Sequence, residues 1–337
     1  MAILARIASR ALPARAANGL RASTTAAFAS SGRRFYSATP LHNPSTMTPP
    51  PFTLAGKLVV LTGASRGLGL VMGQAIVASG ADLAMVDLNK EEAQEQATLM
   101  VETYKELYPG QRVPRVTAHY ANVADESSVD GCIQEVLESQ AAAAADGTTP
   151  DDIVINGLVT SAGFVENVPA IDYPPARMRA LWGVNVDGTY LFATAVARHL
   201  HARALQQQSE TGIATSGTGS MVLVGSMSGA VVNVPQPQAP YNASKAAVRQ
   251  LAASLAVEWA PAGIRVNCMS PGYMETPLTA AILADQPALR QQWTSGVPQG
   301  RLGVPSDLAG PVVFLLSDAA KYVTGADLRV DGGYTII

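Results

Sequence analysis

The sequence predicts an α/β chain built as one doubly wound parallel sheet with helices on both faces. Three observations carry this. Short apolar runs alternate with longer amphipathic stretches from residue 56 almost to the end. The runs are apolar without polar alternation, which suits strands buried on both faces. A glycine-rich turn joins the first run to the first amphipathic stretch.

Taken in order, residues 58–61 form the first strand, bounded by Gly56 and Gly63. A helix covers 67–78 and ends at Gly80. Residues 82–86 are the second strand, 89–107 a long polar helix closed by Pro109-Gly110, and 116–120 the third strand. A helix at 126–139 precedes a strand at 153–159, and one long helix spans 176–204. Then come a strand at 221–224, a helix at 242–260 and a strand at 264–269. Helices near 276–293 and 305–316 lead to a last strand near 326–330. Residues 140–152 and 206–219 break the rhythm and read as surface insertions.

Composition narrows the function classes. With 48% hydrophobic and 15% charged residues among 337, the chain buries a large core and is not disordered overall. A net charge of −3 gives no global field for nucleic acid. The two cysteines, Cys132 and Cys268, and four histidines show neither CxxC nor HExxH spacing, so no disulfide framework and no metal site is expected. His199 and His201, two apart on one helix, read as solvent-exposed or capping. No apolar run reaches the length of about 18 residues that a membrane helix needs.

The start of the chain is a different material. No acidic residue precedes Asp82, and residues 1–36 carry six arginines, no lysine and many Ala and Ser. On a helical wheel Ile3, Leu4, Ile7 and Leu12 gather on one side with Arg6 and Arg10 flanking it, and Pro13 ends the run. This is the composition of a mitochondrial transit peptide, with Arg33-Arg34-Phe35-Tyr36-Ser37 similar to a matrix-protease cleavage site. A basic tail touching RNA or anionic lipid is the competing reading. The expected organisation is a transit peptide over 1–36, a Pro-rich linker over 37–53 and one domain over 54–337, in the mitochondrial matrix.

The turn Thr62-Gly63-Ala64-Ser65-Arg66-Gly67-Leu68-Gly69 follows a strand and opens a helix, the context a Rossmann-type phosphate cradle requires. Glycine lets the backbone approach a pyrophosphate, and the helix N-terminus supplies N–H groups and a positive dipole end. Asp87 ends the second strand, 24 residues after Gly63. A carboxylate there bonds the adenosine ribose hydroxyls and repels a 2′-phosphate, which favours NAD over NADP. Arg66 dissents, since an arginine in this loop can meet a 2′-phosphate. Asp87 outweighs it, because a carboxylate beside a phosphate costs more than one mobile arginine regains.

Tyr241-Asn242-Ala243-Ser244-Lys245 opens the 242–260 helix, and Tyr241 and Lys245 at i and i+4 share a face. Ser226 leaves the end of the preceding strand, where ligand groups of open α/β sheets gather. A phenol near pKa 10 is a poor base at neutral pH. A lysine ammonium and a nicotinamide cation beside it would lower that value together. The phenol then passes a proton to or from a substrate oxygen that Ser226 holds.

These residues together resemble the short-chain dehydrogenase/reductase family, over residues 54–335. The resemblance rests on TGASRGLG (62–69), TSAG (160–163), Asn185, Ser226, YNASK (241–245), Pro271-Gly272 and VDGG (330–333). It implies Ser226, Tyr241 and Lys245 as the catalytic set, with Asn185 holding a water that relays protons to the lysine. It implies an NAD or NADP cofactor along Gly63, Ser65, Arg66, Gly67, Leu68, Gly69 and Asp87. Asn122 and Val123 would meet its adenine, and Ser161, Ala162 and Gly163 stand where Asn-Ala-Gly is usual. Tyr241, Lys245, Pro271, Gly272, Met274 and Thr276 would hold its nicotinamide end, with a lid over 275–300 that carries Trp293. Ser226 rather than Ser228 fits the family's serine, since Gly229 follows it three residues on.

The loop NVPQPQAPYNASK (233–245), with SAGFVENVPA (161–170), is similar to fungal polyol dehydrogenases and pentulose reductases. That subgroup implies a polyol or keto-sugar substrate, met by Val165, Glu166, Asn233, Gln236 and Gln238. The resemblance also implies a homotetramer with the apolar C-terminus at an interface. Two alternatives stand beside this reading: an NADPH-dependent 3-oxoacyl reductase of mitochondrial fatty-acid synthesis, and a non-catalytic NAD-binding subunit. Asp87 argues against the first and the complete catalytic set against the second.

Overall fold

In a computed structural model the chain is described over residues 50–144, 147–211, 219–276, 279 and 283–337. The transit peptide, most of the linker, and residues 145–146 and 212–218 of the two insertions lie outside the described residues.

Seven parallel strands form one sheet in the order β3-β2-β1-β4-β5-β6-β7. They are β1 (Leu58–Thr62), β2 (Asp82–Asp87), β3 (Val116–Tyr120), β4 (Ile155–Thr160), β5 (Gly219–Val224), β6 (Ile264–Pro271) and β7 (Asp327–Val330). The order reverses between β1 and β4, so their carboxyl ends open a crevice, the usual ligand position in such sheets. The helices are α1 (Gly67–Ala78), α2 (Lys90–Leu107), α3 (Glu126–Ala142), α4 (Pro175–Trp182), α5 (Gly188–Thr211), α6 (Ala239–Trp259), α7 (Pro287–Ser295) and α8 (Ala309–Leu316).

The apolar strands serve two cores. On one face Leu58, Val60, Ala84, Val86, Met221 and Leu223 pack with Val136 of α3, Phe192 of α5 and Val248 of α6. On the other, Val59, Leu61, Leu83, Met85 and Val222 pack with Met72 and Ile76 of α1, Met100 of α2 and Val312 of α8. Successive residues of one strand point to opposite faces and both faces are dry, which is why the sequence runs lack alternation.

Two sequence expectations need correction. The 176–204 helix is not uniform: between α4 and α5 lies a π-turn over Gly183–Asp187, where the Gly188 N–H bonds the Gly183 carbonyl. The wider turn holds Asn185 fully buried. Helical periodicity alone does not reveal one extra residue per turn. The helix expected at 276–293 is described as α7 from Pro287, while 277–278 and 280–282 lie outside the described residues. His199 is also more than a surface residue, for it is half-buried and its Nε2 accepts the Ile155 N–H at 3.3 Å, at the start of β4.

Candidate active site

The glycine turn leaves β1 and folds back under the end of β4. A Cβ on Gly63 would meet the Ala162 backbone at 2.8 Å, and one on Gly69 would fall inside van der Waals contact of the Gly63 carbonyl. Thr62 ties the two strand ends, its hydroxyl oxygen accepting the Ser161 and Ala162 N–H groups at 3.2 Å each. The β1–β4 junction is thus held through backbone N–H groups of the Ser161-Ala162-Gly163 segment.

Gly67 opens α1 with φ +59°, and nothing lies within 4 Å of where its Cβ would be. Arg66, the N-cap, makes no side-chain cap, so the first N–H groups of α1 have no side-chain acceptor from it. Open space, free helix N–H donors and a positive dipole end fit the pyrophosphate of a dinucleotide. Leu68 is half-buried, and Arg66 is exposed.

At the end of β2, Asp87 Oδ2 accepts the Ser65 N–H and Oδ1 accepts the Asn89 N–H, each at 3.1 Å. Asp87 is thus a strand-end cap whose carboxylate oxygens each keep a lone pair, so the cap leaves room for the expected ribose contact. Asn122 is half-buried and its Oδ1 accepts the Ala124 N–H at 3.2 Å, while Val123 is buried at the end of the β3 loop.

The catalytic candidates converge from three elements. Ser226 follows β5 and is within hydrogen-bonding reach of Tyr241 on α6. Ser226 Oγ also accepts the Ser228 N–H at 3.1 Å. Lys245 Nζ lies 5.8 Å from the centroid of the Tyr241 ring and donates to the Val224 carbonyl at 2.8 Å. Burial pushes the ammonium down to about 8, partly opposed by the Cys268 thiol beside it. Burial likewise raises the Tyr241 phenol, and the Ser226 hydrogen bond pulls it back. The expectation of a lowered phenol concerns the site with a nicotinamide cation bound; in the protein alone desolvation outweighs the Ser226 hydrogen bond.

Asn185 clasps two segments. Its Oδ1 accepts the Phe164 N–H and its Nδ2 donates to the Phe164 carbonyl, each at 3.1 Å. The same Nδ2 donates to Ser244 Oγ at 3.1 Å, and Ser244 donates to the Tyr241 carbonyl at 2.7 Å. A Cβ on Gly163 would stand 3.1 Å from Asn185 Oδ1 and 3.7 Å from Lys245 Nζ, so this glycine leaves room beside both.

The loop after β5 separates the two serines. Ser228 donates to Asn233 Oδ1 at 2.6 Å, and Gln238 Nε2 reaches Asn233 Oδ1 at 3.1 Å and Asn242 Oδ1 at 2.9 Å. Gln236 pairs with the Tyr273 hydroxyl at 3.2 Å. Asn233 Nδ2 is buried with no hydrogen-bond partner, a donor in want of an acceptor. Among the expected substrate contacts, Glu166 accepts from Tyr173 and pairs with Arg177, while Val165 is exposed.

Pro271 ends β6 and Gly272 follows it, with the Gly272 N–H on the Val330 carbonyl at 2.9 Å. Met274 is buried, its carbonyl taking the Thr276 N–H and the Thr279 hydroxyl. Trp293 stacks on Tyr273 with ring centroids 4.3 Å apart and packs with Leu283 and Leu302, so it is core of this small lobe. Thr62, Glu92, Ser244 and Tyr273 were not singled out from sequence as site residues; Thr62 and Ser244 sit inside quoted motifs, and Glu92 stands at the third position of α2.

Among the described residues no group of three or more His, Cys, Asp or Glu is placed to hold a metal, and no helix is long and apolar enough to cross a membrane.

Comparison with known proteins places these features in context. Residues 63–335 match a family model described as enoyl-(acyl carrier protein) reductase. The chain is 39% identical to D-arabinitol 2-dehydrogenase [ribulose-forming] of Candida albicans over 289 residues, 85% of this chain and 95% of the relative. It is 37% identical to an NADH-dependent L-xylulose reductase of Ambrosiozyma monospora, covering 85% and 97%. A gluconate 5-dehydrogenase from Burkholderia cenocepacia, solved with NADP and tartrate, superposes with a TM-score of 0.70 at 30% identity, covering 86% and 98%. The chain therefore belongs to the short-chain dehydrogenase/reductase family.

Proposed function

We propose that the protein is an NAD(H)-dependent oxidoreductase that interconverts a polyol, a pentitol or hexitol, and its keto sugar. The observation that carries this is the convergence of Ser226, Tyr241 and Lys245 at the crevice beside an open glycine turn that fits a dinucleotide. The relatives named as acting on D-arabinitol and L-xylulose support the substrate class. For the cofactor, a nicotinamide dinucleotide is the firm part. NAD is preferred on the Asp87 carboxylate at the ribose end, with the NADH-dependent relative in support.

A bound nicotinamide supplies or accepts the hydride. The chain supplies the rest. Tyr241 gives a proton to the keto oxygen in reduction and takes it from the alcohol in oxidation. Ser226 holds that oxygen by a hydrogen bond, which fixes the reacting carbon. Lys245 places a cation beside the phenol and favours phenolate. Asn185 keeps the Phe164 loop and the Tyr241 turn in register through its three bonds. The buried amides Asn233 and Gln238, with Gln236, suit a chain of hydroxyls, each both donor and acceptor.

We extend the proposal to place and assembly. The acid-free, Arg-rich residues 1–36 support delivery to the mitochondrial matrix and removal of that segment. Ile336 and Ile337, 78% and 84% exposed, support a homotetramer that covers the C-terminus. Light scattering on protein starting at Ser37 tests the assembly.

The deciding experiment follows nicotinamide absorbance with NAD⁺ or NADP⁺ against pentitols, hexitols and simple secondary alcohols. Polyol turnover with NAD⁺ is expected. Turnover of acyl-thioester ketones alone, or cofactor binding without any turnover, overturns the sugar reading.

A further inference from the structure

We infer that Glu92 is a second determinant of cofactor choice, acting with Asp87 against a 2′-phosphate; the inference rests on the proposed preference for NAD. Asn89 is the N-cap of α2, and its side chain accepts the Glu92 N–H at 3.2 Å. In a capping box the carboxylate three residues on reaches back to the N–H of the cap residue. Here that N–H is already taken by Asp87 Oδ1 at 3.1 Å.

The Glu92 carboxylate turns to the glycine turn instead. Its Oε2 accepts the Ser65 hydroxyl and the Asn89 Nδ2, each at 3.2 Å. The Ser65 N–H ends on Asp87 Oδ2 at 3.1 Å. Four donors at the end of β2 therefore point at two carboxylates. Ser65 is 1% exposed, so its hydroxyl is held in that arrangement.

A 2′-phosphate needs donors and positive charge at this rim. It meets two carboxylates whose neighbouring donors are engaged. Lys90 is committed to Glu135 at 2.8 Å, which leaves exposed Arg66 as the cation of the turn. A ribose diol brings its own donors and suits the same carboxylates. Asp87 acts through the strand end and Glu92 through Ser65, so each opposes the phosphate from a separate element.

The test is direct binding of NADH and NADPH, followed by nucleotide fluorescence, to the full chain and to Glu92→Gln and Asp87→Asn. Gln keeps the length of the side chain and an acceptor for Ser65 while removing the charge. Glu92→Gln is expected to tighten NADPH about tenfold while NADH stays within about threefold, and the gain shrinks with added salt. Circular dichroism melts confirm that the variant is folded. An unchanged NADPH/NADH ratio, or parallel weakening of both nucleotides, overturns the inference and leaves Glu92 a brace of the turn. The wild-type ratio reads the other proposal separately: tighter NADPH than NADH in the unmutated protein overturns the NAD assignment, whatever Glu92→Gln does.

Discussion

The two halves of the crevice solve recognition with different materials. The nucleotide half, on β1 to β3, is made of backbone: a glycine turn, uncapped helix N–H groups and half-exposed carboxylates at a rim. The catalytic half, on β4 to β6, is made of buried polar side chains. Asn185 and Ser244 are fully buried, and Asn233 and Lys245 are 2% and 7% exposed. A nucleotide can be held by chain shape at the edge of water. Proton transfer needs desolvated groups, and these must then satisfy one another. The difference teaches that damage to the first half should act through space and charge, and damage to the second through unpaired buried polarity.

The sharpest way to break this division is Tyr241→Phe. Turnover is expected to fall about 10³-fold while nucleotide affinity stays within about threefold, read by steady-state kinetics and binding titration. A parallel loss of binding would erase the separation of the halves. Next comes Asn185→Ala, which strands the Phe164 backbone groups and Ser244; a loss of about 3 kcal/mol in urea unfolding is expected. A loss below about 0.5 kcal/mol would show that the clasp carries no strain-free bonding of its own.

Gly69→Ala probes the other half. Its Cβ would collide with the Gly63 carbonyl, so a loss of about 2 kcal/mol and weakened nucleotide binding are expected together. Normal binding by a destabilised variant would mean that the turn is rigid for stability rather than for phosphate.

The last effect is a pH dependence, confined to alkaline solution. Burial holds Lys245 near 8, below the 10.5 of an exposed lysine, so the folded protein sheds this proton first. The unfolded chain binds more protons between those values, and stability gains from this group as pH rises from about 8 to 10.5. Below that window the full cost of the buried charge is present. Lys245→Met is expected to flatten the rise, read as denaturation midpoints across that range. An unchanged slope would place the dependence elsewhere.

Much of the first half was legible in residue order. The 62–69 turn, its strand and helix, and Asp87 lie within one βαβ unit, so spacing alone brings them together. The Glu92 contact with Ser65 was not legible, because it depends on Asp87 having taken the N–H that a capping box would offer. In the second half Tyr241 and Lys245 were legible as i and i+4 on a helix. The amide network of Ser228, Asn233 and Gln238 was not, since a loop with alternating prolines and glutamines has no period to read.

By itself the sequence determined the strand–helix alternation, the doubly wound sheet, the glycine turn between β1 and α1, and the i, i+4 placement of Tyr241 and Lys245. These rest on local chemistry: apolar period, glycine spacing and helical geometry. Only the tertiary structure decided that the 176–204 helix widens at Gly183–Asp187 to bury Asn185, and that Glu166 is committed to Arg177. It also decided that burial, not charge, governs Tyr241 and Lys245 in the protein alone. The reason is packing. Asn185, Tyr241 and Lys245 depend on which distant segments remove water from them, while Glu166 depends on how the loop folds back to bring Tyr173 and Arg177 to it, and neither is a property of residue order.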